Sequence, residues 1–171
     1  MVTTHEFAQN WHRTLFDHDM SQAWQLLTED FRRVVTYTAI GDETEQARPE
    51  DTEAIVEMLS EPSPQHPDTQ KFFRIACRIL QDACVVQPEM VAPGQTIRIE
   101  APAYEVVRLY MLEDLASDTE GNPYLPPGQS ARALTLITST EEDGSMRIAG
   151  IGKVMAPGRP PTVYWEPPAQ V

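Results

Sequence analysis

The chain has 171 residues, enough for one domain around a single core, and its hydrophobic content of 41% can fill that core, which excludes disorder throughout. Its 26 acidic side chains against 13 basic ones leave a formal net charge of −13. Nonspecific binding to nucleic acid or to an anionic membrane is excluded with it, because neutralising phosphate needs clustered Lys and Arg.

The opening residues, Met1-Val2-Thr3-Thr4-His5-Glu6, lack the basic start and apolar run of a signal peptide, and no stretch approaches a membrane span, so a cytoplasmic location is expected. Thr3 and Glu6 stand at capping-box spacing before Phe7, Ala8, Trp11 and Leu15, which share one face of a helix ending near Asp17. His18-Asp19 makes a turn, Asp19 and Gln22 offer a second cap, and Met20, Ala23, Trp24 and Leu27 form another short apolar face. A helical hairpin is predicted.

From Phe31 to Ile40 the residues turn β-branched and aromatic and stop at Gly41-Asp42, so the second half of this run reads as a first strand. A helix starts at Pro49-Glu50-Asp51, with Ile55, Val56 and Leu59 on its apolar side, and ends in the prolines between Glu61 and Pro67. Asp68 to Ala83 carries Phe72, Ile75, Ala76, Ile79, Leu80 and Ala83 at helical spacing and should pack on a sheet. Cys77 and Cys84 share a face of this helix about 10 Å apart along its axis, too far for a disulfide, and are expected as reduced core residues.

Val85-Val86 reads as a short strand, and Ala92-Pro93-Gly94-Gln95 as a turn. The rest is β. Thr96 to Glu100 alternates, and Tyr104 to Leu112 places Tyr104, Val106, Arg108, Tyr110 and Leu112 on one side and Glu105, Val107, Leu109 and Met111 on the other, with a bend at Pro102. A long loop through Asp118 to Gly128 leads to Ala131–Thr140, and Glu142-Asp143-Gly144 turns into Met146–Met155 to complete an antiparallel hairpin. Residues 157–171 form a Pro-rich tail around Val163-Tyr164-Trp165, expected to lie extended over the domain or to reach a partner. The order predicts an α+β fold in residues 1–156, with helices on one face of a curved antiparallel sheet.

The run from Phe7 to Phe31, with its acidic turn and its Ala23-Trp24-Gln25-Leu26-Leu27-Thr28-Glu29-Asp30-Phe31 ending, resembles the opening of a nuclear transport factor 2-like, or SnoaL-like, domain, and Met146 to Gly152 is similar to that family's last strand. The resemblance implies a cone-like curved antiparallel sheet packed on the N-terminal and central helices around an apolar pocket. Relatives of this kind include isomerases, cyclases and dehydratases that place carboxylates, Tyr, His or Arg inside the cone. None of their catalytic sets aligns with these residues. The candidates for a pocket are Tyr104, Arg108 and Tyr110, with Tyr37 as a neighbour on the first strand and Trp11 and Trp24 as lining. A Tyr hydroxyl and an Arg can bind an oxyanion or carboxylate, but the same residues can equally border the core or face solvent.

His5, His12, His18 and His66 have no metal-ligand spacing and are expected at the surface, so neither a metal nor a cofactor is predicted. Two functions of different class follow. One is a noncatalytic binding or scaffolding domain contacting a protein partner, a second copy as a homodimer, or a small hydrophobic ligand, with Val163, Tyr164 and Trp165 as partner-binding residues. The other is a cofactor-independent isomerase, cyclase or dehydratase acting on a hydrophobic substrate in the cone.

Overall fold

The computed structural model describes residues 2–17, 20–42, 49–62, 69–84, 86–98 and 104–152. Helix α1, Thr4–Phe16, starts as its sequence requires: the Thr3 side chain accepts the Glu6 N–H, and the Glu6 carboxylate in turn accepts the Thr3 N–H at 2.7 Å. Helix α2, Met20–Gln25, folds back on α1, and the Trp11 indole N–H donates to the Ala23 carbonyl at 3.0 Å, which fixes the predicted hairpin. The second helix is shorter than its apolar residues suggest. Leu26–Thr28 instead runs beside the last strand, where Ile148 donates to Leu26 and Thr28 donates to Ile148 through a parallel bridge at Leu27.

The run predicted to hold the first strand is helix α3, Glu29–Asp42. Thr28 Oγ1 accepts the Phe31 N–H, and Phe31, Val35 and Ala39 recur every four residues as one buried stripe. Tertiary burial of that stripe outweighs the strand preference of Val34, Val35, Thr36 and Thr38, an effect of less than 1 kcal/mol per residue. Thr36 and Thr38 turn their hydroxyls back onto the carbonyls of Arg32 and Val34, which spares the helix their competing hydrogen bonds. Helix α4, Pro49–Ser60, packs on α3, and α5, Gln70–Cys84, carries the long apolar face expected of it. Its two cysteines are buried free thiols, and burial pushes Cys77 up to about 12 and Cys84 higher still.

Four strands form one antiparallel sheet in the order β1-β2-β5-β6: β1 Val91–Arg98, β2 Tyr104–Met111, β5 Ala133–Thr140 and β6 Met146–Gly152. The connection between β2 and β5 holds a small hairpin of β3, Ala116–Ser117, and β4, Pro123–Tyr124. Its stem is clamped by Arg132, whose guanidinium meets Asp114 at 2.8 Å twice and also Glu113, and Arg132 draws the Asp114 carboxyl down to about 2.

Two strand assignments differ from the sequence reading. Val86 lies outside any strand, before a 3-10 turn at Pro88–Met90. Ala92-Pro93-Gly94-Gln95 is part of β1 rather than a turn. Proline is tolerated there because β1 is an edge strand, and the register shifts between Pro93 and Thr96. Val85, Pro102 and the tail 157–171 lie outside the described residues.

Gly94 has a specific packing reason. A Cβ added there would lie 2.7 Å from the Arg108 carbonyl oxygen and 2.9 Å from two carbons of the Tyr110 ring. Gly94→Ala is expected to cost about 1–3 kcal/mol, read as a Tm lower by several degrees. An unchanged Tm would show that the Tyr110 ring moves aside freely.

Strand alternation gives the sheet two distinct faces. Val107, Leu109, Leu134, Leu136, Ile148 and Ile151 belong to the main core together with Trp11, Leu15, Trp24, Phe31 and Leu80 from the helices. Thr4 Oγ1 donates to Glu105 at 2.7 Å and His5 meets Thr96 at 3.1 Å, so α1 lies across this inner face. The outer face carries Ile97 on β1, Tyr104, Val106, Arg108 and Tyr110 on β2, Ala133, Thr135, Ile137 and Ser139 on β5, and Arg147 on β6.

Candidate functional site

The six candidate ligand-binding residues fall into three separate places. Trp11 and Trp24 are fully buried in the main core. Each indole N–H already has a partner, Ala23 O at 3.0 Å for Trp11 and Leu59 O at 3.1 Å for Trp24, and the Trp24 ring stands edge-on to Phe73 with centroids 5.5 Å apart. Such rings pack the domain and present nothing to a ligand.

Tyr37 is on a helix, not on a strand, and is 41% exposed. Its hydroxyl donates to Glu53 of α4 at 2.7 Å, one turn from the Arg33–Glu57 ion pair at 3.1 Å. The hydrogen bond to Glu53 is the chief cause that holds the phenol above its ordinary pKa. Tyr37 therefore fastens α3 to α4 through Glu53 and does not stand on a strand beside the β2 tyrosines, because the segment that bears it is helical.

Tyr104, Arg108 and Tyr110 do share one face, as the alternation predicts, but it is the outer face, turned away from α1. Tyr104 is partly buried and its pKa is raised, first by burial and then by the negative charges of Asp30 and Glu141, while a hydrogen bond with Ser139 acts in the opposite sense. Arg108 is directly paired with Thr135 across β2 and β5. Arg108 is 9% exposed and Thr135 is fully buried, yet neither Arg108 Nε nor Thr135 Oγ1 has a hydrogen-bond partner among the described residues. A buried donor left unmade costs on the order of 1–3 kcal/mol, so these two groups on paired residues are the polar atoms of the outer face with the most to gain from a hydrogen bond.

Sequence reasoning missed two other polar features. His12, expected at the surface, is fully buried: its Nε2 meets Val86 O at 3.0 Å and its ring stands edge-on to Phe16. The Val86 carbonyl can only accept, so Nε2 carries the proton and the Nδ1 lone pair has no partner among the described residues. Position 12 adjoins Trp11 and lies four residues from Ala8 and Phe16, so the apolar stripe of α1 is wide enough to include it; that width was the available signal.

Burial lowers the His12 pKa to about 4, against smaller opposing contributions from Val86 and Glu89. A base whose folded pKa lies below its unfolded value stabilises the fold above pH 6.5 and loses that contribution as the pH falls toward 4. The loss amounts to roughly 3 kcal/mol at ~1.4 kcal/mol per unit. His12→Gln, which keeps a donor for Val86 and cannot take up a proton, is expected to flatten unfolding free energy between pH 6.5 and 4. Parallel curves for the two proteins would assign the acid sensitivity elsewhere.

The second feature is a surface cleft of about 580 Å³ beside β6, lined by Gln25, Thr28, Glu29, Arg32, Glu141 and Arg147 among others. Its floor is the buried Arg32, whose Nε and Nη1 each donate over 2.6 Å, to Ser60 O and Leu27 O. Burial lowers the Arg32 pKa, with Glu29 opposing and Arg147 adding to the effect. The surrounding carboxylates make the cleft mixed in charge, and the Arg32 hydrogen bonds give it a structural role.

Among the described residues no group of three His, Cys, Asp or Glu side chains is placed to hold a metal ion, and no helix is long and apolar enough to cross a membrane. No protein-family model, curated protein or solved structure matches the chain.

Proposed function

We propose that this chain is a noncatalytic binding domain of the nuclear transport factor 2-like kind that receives an extended peptide segment on the outer face of its sheet. The observation that carries this reading is the Arg108–Thr135 pair, buried on that face with Nε and Oγ1 unpartnered among the described residues. Both groups can donate, and an extended chain rich in proline offers carbonyl acceptors with few N–H groups of its own. The flanking Tyr104 and Tyr110 add aromatic surface of the type that holds such segments.

The enzymatic reading has less support. It needs a reachable ionisable group in an apolar cavity, whereas Trp11, Leu15, Val107, Leu109, Leu134 and Leu136, from α1 and the inner sheet face, belong to one buried apolar cluster. The buried imidazole of His12 is enclosed in the same packing.

A photo-cross-linking side chain at Ile97, which is 36% exposed at the margin of the outer face, tests the proposal. It is expected to trap a peptide remote from its neighbours in the sheet, from this chain or another, whereas the same group at Tyr37 should not. Trapping of sheet neighbours alone, or equal trapping from both positions, refutes it.

A further inference from the structure

The cleft beside β6 holds two positive charges without counter-ions. Arg32 is 7% exposed, and its two hydrogen bonds run from Nε and Nη1 to the neutral carbonyls of Ser60 and Leu27. Its Nη2 bonds to no described residue, and no carboxylate among the described residues forms an ion pair with it. A guanidinium buried to this extent is ordinarily paired, because the charge has given up water. Arg147, half-buried on β6 and lining the same cleft, is also without an ion pair among the described residues. The two charges feel each other: Arg147 adds to the burial that lowers the Arg32 pKa, while Glu29 opposes both.

Charge in the cleft is graded with depth. Arg32 forms the floor, whereas Glu29, Glu141 and Glu142 line the same space from exposed positions at its rim. The N-terminus of α3 opens beside them at Thr28 and Glu29 and adds its positive end to the interior. Asp143 accepts the Ser145 N–H at 2.8 Å and is thereby committed to the β5–β6 turn. The volume of about 580 Å³ falls within the roughly 300–1,000 Å³ typical of small-ligand sites.

This gradient selects among ligands. A simple anion is repelled at the rim, where carboxylates outnumber the two guanidiniums of the interior, and a simple dication is repelled by the floor. The complementary molecule carries one carboxylate that reaches the guanidiniums and ammonium groups that stay at the rim.

We infer that this cleft binds a basic amino acid, free or as the C-terminal residue of a peptide, with its carboxylate on Arg32 Nη2 and Arg147 and its side-chain ammonium on Glu141 and Glu142. The inference does not rest on the reading of the outer face, and the cross-linking result at Ile97 decides nothing about it.

Titration of the isotope-labelled full chain with L-lysine tests this. The amide signals of Thr28, Glu29 and Arg147 are expected to shift saturably, with those of Ser117 and Tyr124 unchanged. L-lysinamide, which lacks only the carboxylate, and L-norleucine, which lacks only the side-chain ammonium, should each bind at least about tenfold more weakly. Arg147→Gln and, separately, Glu142→Gln should weaken L-lysine by a comparable factor; both positions are away from the buried hydrogen bonds of Arg32, and Glu142 is on an exposed turn.

Binding of Nα-acetyl-L-lysine as tight as that of L-lysine assigns the site to a peptide end, and weaker binding assigns it to the free amino acid. No saturable shift by about 10 mM L-lysine overturns the inference. So does equal affinity for L-lysinamide, or full affinity retained in Arg147→Gln, either of which leaves the guanidiniums without a ligand carboxylate.

Discussion

Trp24→Ala is expected to remove about 3–5 kcal/mol from a fold whose total stability is on the order of 5–15 kcal/mol. The indole is fully buried where α2, α4 and α5 converge, against Phe73 and within bonding distance of the Leu59 carbonyl. Truncation leaves a cavity that the surrounding helices can close only in part, and it also orphans the Leu59 acceptor. The denaturation midpoint should fall accordingly, and Trp24→Phe, which retains the ring contact but not the N–H, should recover about half of the loss. A small shift for the alanine variant would mean that α4 and α5 collapse into the space, and that the packing is looser than the burial implies.

A comparable loss is expected from Arg32→Met. Methionine replaces most of the side-chain volume, so the effect isolates the two 2.6 Å hydrogen bonds to Ser60 O and Leu27 O. Both carbonyls are enclosed, and leaving each without a donor costs about 1–3 kcal/mol. Arg32→Lys should restore only part of it, because a single ammonium does not reproduce the planar fork that spans both acceptors. Equal stability of the Arg and Met proteins in urea unfolding would show that water replaces the guanidinium at both carbonyls.

These two side chains illustrate how unevenly the fold could be read from the sequence. Trp11, Trp24 and Leu27 sit on apolar helix faces legible from their spacing, though spacing does not tell core packing of the two indoles from pocket lining, and the alternation of β2 separates Val107 and Leu109 from Val106 and Arg108. Helix α3 was not legible, because Val34, Val35, Thr36 and Thr38 favour a strand locally and only contact with α4 and α5 overrides them. The role of Arg32 was hidden for the same reason: the carbonyls it holds lie 5 and 28 residues away, and nothing local announces them. The row Arg108–Thr135–Gly152 depends on strand register, which hydrophobic pattern fixes in parity but not in absolute position.

The bridge between Leu27 and Ile148 bears on how the molecule behaves in a crowded solution. An open sheet offers two rims of free N–H and C=O groups, each able to recruit a strand from a neighbouring molecule and to begin a chain of such additions. Here the β6 rim is engaged at Ile148 by Leu26 and Thr28, and the β1 rim is interrupted by Pro93 and the register shift before Thr96. Strand addition of the kind that builds fibres is thereby opposed at one point on each rim.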